Sequence, residues 1–289
     1  MSDKNKFLEN LSRRSFLVNA GKFAAGAMVG FSGLSLAGCA ASPKESASEQ
    51  ASQNAPDVKI PKLPWPYKKL DPEVVRKKAH DNYYRDDAHC METTFSTIVE
   101  ELAKEVGFPY TVIPVEMAHY GAGGVMNWST LCGALNGSCM AMNLVLGKKG
   151  DALEKAVNEL MGWYTKAKFP SDQSNKFDGP KVKGPLPQSI GTSPLCHVSV
   201  SMWCDASGMK SFSPERAERC ARLSGDTAAK AVEILNQYLE KGEIIPVYAD
   251  PASIQECGAC HGKGGLIEDS RGKMDCVQCH EPHEKQPPK

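Results

Sequence analysis

Near its C-terminus the chain carries Cys257-Gly258-Ala259-Cys260-His261 and then Cys276-Val277-Gln278-Cys279-His280, two C-x-x-C-H units in close succession. That spacing is the one used for covalent attachment of c-type haem. Two thiols three residues apart can form thioethers to both vinyl groups of one porphyrin, and the imidazole that follows then lies under the iron as its proximal ligand. From Ile244 onward the chain is rich in Gly, Lys, Cys and His and poor in apolar residues. Such a segment cannot build a core of its own, and two porphyrins would supply the missing apolar mass. Zinc is the competing reading, because Cys257-x2-Cys260-x15-Cys276-x2-Cys279 also fits a four-thiolate site. Zinc, however, has no need of the histidine after each pair.

The other end of the chain speaks to compartment. Ser12-Arg13-Arg14-Ser15-Phe16-Leu17 reads as a twin-arginine export signal. A weakly apolar, Gly/Ala-rich run follows, and Leu36-Ala37-Gly38-Cys39 resembles a lipobox, which makes Cys39 the expected lipidation site. An uncleaved membrane anchor is the alternative. Either way the body is expected on the periplasmic side, tethered to a membrane. Twin-arginine export carries cargo that is already folded, often with a cofactor inserted, whereas c-type haem is attached after export. The signal therefore points to a second centre besides the tail. Eleven cysteines fit an exported redox protein, and a formal net charge of zero gives no reason to expect nucleic acid as a partner.

The expected class is mainly α, in four parts: 1–38 a signal, 39–66 a Ser/Ala/Gln/Pro-rich flexible tether, 67–243 a helical cysteine-rich domain, and 244–289 a diheme segment with little regular structure. Asp71-Pro72 is a helix start running to about Arg85. A second helix spans about 88–106, with Met91, Phe95, Ile98, Val99, Leu102 and Val106 on one stripe. A third, about 128–147, has Gly133, Gly137 and Ala141 at four-residue spacing. Interior glycines cost up to about 1 kcal/mol each, so this bare face is expected to meet another backbone or a cofactor closely. A fourth helix starts at Asp151. Residues 193–204, with Val198 and Val200 in alternation, read as a strand or extended run. Ser213-Pro214 opens a helix to Cys220, and Asp226 caps a further one to about Leu239. Trp128, Trp163 and Trp203 are expected in the core or against haem.

The segment GAGGVMNWSTLCGALNGSCMAMNLVLG resembles the glycine-rich core of the redox-active C-GCAxxG-C-C family. Joined to SPLCHVSVSMWC, SPERAERCARLSGD and the tail, the chain resembles, over about 67–285, the split-Soret cytochromes c of sulfate-reducing bacteria. The resemblance implies a mainly helical homodimer with two haems per chain, each iron bound by two histidines, one of them crossing from the partner. It also implies an additional [2Fe–2S] centre in the cysteine-rich body. A cluster of that kind takes four thiolates, and Cys132, Cys196, Cys204 and Cys220 are the expected set, with Cys90 a possible replacement. Cys139 lies seven residues from Cys132 on the same helix face. Disulfides, or buried thiols, are the alternatives for these six cysteines.

His261 and His280 are the proximal ligands by motif, and distal ligands must come from His80, His89, His119, His197 and His283. His283 and His119 are the candidates carried forward. His283, close behind His280, would have to serve the other haem or the partner's. His80 reads as a surface residue. The expected function is single-electron transfer with periplasmic redox partners rather than catalysis. The alternatives are a haem-dependent reductase with an open iron, or a zinc-binding structural lipoprotein.

Overall fold

A computed structural model describes residues 59–283. The signal, the lipobox with Cys39 and most of the tether lie outside the described residues.

The fold is mainly helical and is organised on one long helix. Helix α1 spans Pro72–Asn82, α2 His89–Glu105, α3 Gly133–Leu146 and α4 Ala152–Lys166. After them come α5 over Cys196–Ser207, α6 over Pro214–Lys241 and α7 over Ala252–His261. Strands β1 (Lys168–Phe169) and β2 (Ser189–Ile190) form a short antiparallel ribbon that closes the 170–192 loop. Helices α1 to α4 all pack on α6. Its core face is mostly small (Ala221, Ala228, Ala231) with Val232 and Leu235, which lets four neighbours approach one axis. No helix among the described residues is long and apolar enough to cross a membrane.

Local signals work where they are unopposed. Asp71 caps α1 by accepting from the backbone N–H groups of Glu73 and Val74. Ser213 caps α6 by accepting from Arg216 N, and Gly242 ends it at φ 75°. The stripe on α2 is buried as expected, apart from a half-buried Val106.

Three expectations about helices and strands are corrected. Helix α3 begins at Gly133 rather than 128, because Cys132 N donates to Pro194 O and Leu131 pairs with Leu195 in an isolated antiparallel bridge. Residues 193–204 are not a strand. From Cys196 they are α5, whose buried residues, Ser199 and Trp203, lie one helical turn apart. Asp226 does not cap a new helix, since α6 is continuous through it. Its buried carboxylate accepts from Ser171 N, Ser174 Oγ and Arg76 Nη1. Donors from other elements satisfy it, so the backbone has no reason to break there.

The bare face of α3 meets α2. A Cβ on Gly137 would stand 2.2 Å from Met91 O, and one on Gly133 would stand 2.3 Å from Cys90 Sγ. The glycines let α3 seat its N-terminus beside the start of α2. His80, read as a surface residue, is buried, with Nε2 2.9 Å from Glu218 and Nδ1 2.9 Å from Asp81. Trp203 is buried, whereas Trp128 is 81% exposed and belongs to no core.

Candidate redox site

Where α2, α3, α5 and α6 converge, Cys90, Cys132, Cys196 and Cys220 line one cavity of about 390 Å³. Each thiol comes from a different element. Cys90 is the second residue of α2, Cys132 the N-cap of α3, Cys196 the first residue of α5, and Cys220 lies within α6. The Leu131–Leu195 bridge sets Cys132 beside Cys196, and Cys196 N donates to Thr130 O at 2.6 Å. Three of the four thiols thus stand at helix N-termini, where free N–H groups and the helix dipole favour a thiolate.

The backbone around the cavity adopts unusual conformations. Asp87 and His89 on one wall, and Met126 and Asn127 on another, have φ between 43° and 66°. Gly123 and Gly124 share that region at 59° and 68°. Left-handed non-glycine residues cost about 1–3 kcal/mol each and gather where surrounding structure enforces a site.

Burial pushes the Cys90 thiol up to about 12, with the neighbouring Cys132 and Cys220 adding to it and the N–H groups of Gly123 and Met91 opposing. Burial also raises Cys132 and Cys196, while Arg219 favours their thiolates. No disulfide forms among the described cysteines. No three His, Cys, Asp or Glu side chains among the described residues converge on a single metal ion. The thiols surround a volume rather than a point.

The other candidate residues fall as follows. Cys204 is half-buried further along α5 and does not line the cavity, whereas Cys90 does. Cys139 is half-buried away from it, with burial raising its thiol to about 12. His119 lines the cavity, its Nδ1 3.0 Å from Glu92 Oε2 and its ring 6.4 Å from that of His89. His197 is exposed on α5.

In the tail, α7 carries Cys257, Cys260 and His261 on its last turns, and Cys276–Gln278 form a short 3-10 turn under the second motif. Ser253 joins them. Its buried hydroxyl donates to Asp275 Oδ1 at 2.6 Å and accepts from Cys276 N at 3.0 Å. The Cys257 thiol is raised by desolvation and by its neighbour Cys276, so the first cysteines of the two motifs sit side by side. His261 Nδ1 is 2.8 Å from Asp269 Oδ1, and the His283 ring lies 5.7 Å away, edge-on. Cys279 and His280 are exposed. Gln278 Nε2 donates to Thr192 O at 2.7 Å, four residues before Cys196.

Residues 88–234 match the family model described as "Putative redox-active protein (C_GCAxxG_C_C)". The chain is 38% identical over 219 residues to the split-Soret cytochrome c of Desulfovibrio desulfuricans, covering 75% of this chain and 77% of that protein. The chain belongs to the split-Soret cytochrome c family. A solved structure of the Desulfovibrio desulfuricans split-Soret cytochrome c, one described as having a novel iron centre, superposes with a TM-score of 0.69 at 36% identity. It covers 76% of this chain and 91% of that one. The family resemblance and the mainly helical class read from the sequence both hold.

Sequence reasoning passed over two groups. Arg216 and Arg219 line the cavity beside Cys220. The signal was the run SPERAERC, which sets an arginine one turn before the thiol and another beside it. Asp269, the partner of His261, stands in a Gly/Lys loop with no pattern to mark it.

Proposed function

We propose that this chain is an exported one-electron carrier with two covalent c-type haems on its tail and a [2Fe–2S] centre in the thiol cavity. The observation that carries the reading is the convergence of four thiols from four helices beside two guanidiniums. A [2Fe–2S] group takes four thiolates, and a cavity of about 390 Å³ suits a polyatomic group better than a lone ion. Cys90, Cys132, Cys196 and Cys220 would hold it, and Cys204, from the expected set, would not. In the tail, Cys257 and Cys260, then Cys276 and Cys279, would form the thioethers, and His261 and His280 would supply imidazole ligands to the irons.

When bound, each of these groups supplies a one-electron couple. The residues of this chain set the terms of that transfer. Helix N-termini favour the thiolates, and the cavity walls keep most water away from them. Ser253 fixes one haem motif against the other. The Gln278–Thr192 bond ties the second motif to the segment that leads to Cys196, giving electrons a short covalent and hydrogen-bonded route between the tail and the cavity.

The remaining parts of the reading rest on the sequence and on the family. The chain would be tethered to a membrane on the periplasmic side through lipidated Cys39. It would pair with a second copy, from which a distal histidine could reach a haem, His283 being the candidate in the tail. Its donors and acceptors would be periplasmic redox partners.

The test is composition with mutagenesis. Protein matured in a host that attaches c-type haem should carry two haems per chain by the pyridine haemochrome, plus two irons and two sulfides. Serine at Cys90, Cys132, Cys196 or Cys220 should each remove the sulfide-bound iron and leave the haems, while serine at Cys204 or Cys139 should leave both. Colourless protein with zinc on its last four thiols would end the haem reading. Loss of the cluster in Cys204→Ser but not Cys90→Ser would restore the ligand set expected from sequence.

A further inference from the structure

One cation in the cavity lacks the counter-charge that its burial demands. Arg219 is 1% exposed, and a guanidinium keeps its charge in a protein interior. Its Nη2 donates to Ser199 Oγ at 2.8 Å and to Ser199 O at 3.2 Å. Its Nε has no hydrogen-bond partner, and no carboxylate among the described residues pairs with it. The contrast with its neighbour on α6 is direct. Arg222, equally buried, is bound through Nε to the Glu218 carboxylate at 2.6 Å. Leaving a buried charge unpaired is costly, several times the worth of an ordinary hydrogen bond. A position that retains such a charge requires an anion.

We propose that Arg219 is the counter-ion of the metal-loaded cavity, a positioning and potential-setting residue for the iron–sulfur group rather than one of its ligands. The proposal rests on the reading of the cavity given above and deepens it. Four protonated thiols offer Arg219 nothing, whereas four thiolates holding a [2Fe–2S] group leave a net negative charge that grows by one when an electron is added. The guanidinium lines the same cavity as Cys132, Cys196 and Cys220. Ser199 aims it. The Ser199 hydroxyl also accepts from Tyr164 at 3.0 Å, so the side chain that orients Arg219 is itself held from α4. Arg216, one turn earlier and also lining the cavity, adds a second positive charge.

Two consequences follow that a purely structural arginine would not show. Removing the charge should matter in opposite senses with and without iron. In the iron-free protein, Arg219→Met deletes an unpaired buried charge and should leave the melting temperature unchanged or raise it. In the loaded protein it deletes an ion pair and should lower it. The added electron also feels the charge directly, so the midpoint potential of the iron–sulfur signal should fall in Arg219→Met and stay near the parent value in Arg219→Lys.

The experiment uses the full chain in four forms: parent, Arg219→Met, Arg219→Lys and Arg219→Gln. The Gln variant covers the case in which the Met variant does not fold. Iron and sulfide are assayed, melting is followed with and without iron, and the reduced cluster is titrated by EPR. A smaller gain in melting temperature on loading, with a lowered midpoint in the uncharged variants alone, supports the role. An equal gain and an equal midpoint in all four, with iron and sulfide present, overturns it and leaves the cluster standing. Absence of iron and sulfide from the parent overturns the cluster and the role of Arg219 together.

Discussion

Asp269 holds the imidazole of His261 by its Nδ1 at 2.8 Å, so that Nε2 is the nitrogen left for a ligand. Asp269 reaches His261 because the loop after α7 folds back, with Ile267 N and Glu268 N donating to Cys260 O and Ser270 N to His261 O. A carboxylate behind a ligating imidazole fixes its tautomer and makes it a stronger donor, which favours ferric over ferrous iron. Asp269→Asn should therefore raise the midpoint potential of one haem and leave the other. The carboxylate is more than half exposed, so water screens it. A preference of about 1 kcal/mol for ferric iron would correspond to roughly 40 mV in a one-electron couple. Spectroelectrochemical titration reads this, and a potential that moves downward would refute it.

Ser253 is the link between the two haem motifs, and Ser253→Ala removes both of its bonds at once. The substitution should keep both haems attached, since no thiol or imidazole is touched. It should loosen the second motif by about 1–2 kcal/mol. The expected signs are a changed Soret band shape and faster amide exchange over 275–280. An unchanged spectrum and unchanged exchange would mean that the clamp is dispensable.

The contact between α2 and α3 allows no added methyl. In Gly137→Ala the new Cβ would press on Met91 O and on Thr94 Oγ1, the first of these a backbone atom that cannot swing aside. Overpacking of that kind costs about 2–3 kcal/mol, and thermal unfolding should show it. A variant that melts within a degree of the parent would show that the helices are free to slide apart.

Glu218 lies at the centre of a buried polar group, accepting from Arg222 Nε at 2.6 Å and from Tyr84 Oη, with His80 Nε2 at 2.9 Å. Desolvation raises its carboxyl, but the bonds from His80, Tyr84 and Arg222 outweigh that and hold it below its ordinary value of 4.5. A carboxylate depressed in the folded state adds stability above its ordinary value, and that stability is lost as pH falls through the folded one. Glu218→Gln should cost about 3 kcal/mol or more at pH 7. The deficit relative to the parent should shrink below about pH 4.5. Urea midpoints at pH 7 and pH 4 test both the size and the direction.

How much of this was readable from residues alone depends on how far each signal reaches. The two C-x-x-C-H units are local chemistry, complete within five residues each, and they stood out without any fold. The same holds for the Asp71-Pro72 and Ser213-Pro214 starts, where a side chain bonds its own neighbours. The glycine stripe on α3 announced a close approach but could not say to what. Only packing identified Met91 and Cys90 on α2 as the surface it meets.

Where the reading went astray, distant atoms had decided the matter. Asp226 looked like a cap because its donors, Ser171, Ser174 and Arg76, lie far away in the chain. Val198 and Val200 alternated like a strand, yet Ser199 and Trp203 are what α5 buries. Thiols in a chain can be counted, but which four share a cavity is set by where four helices cross. That crossing brought Cys90 in, left Cys204 out, and set the unpaired charge of Arg219 beside them. By itself, then, the sequence determined the two C-x-x-C-H units, the helical class and the family. The tertiary structure decided the partners, because hydrogen bonds and buried charges between remote residues leave no spacing to read.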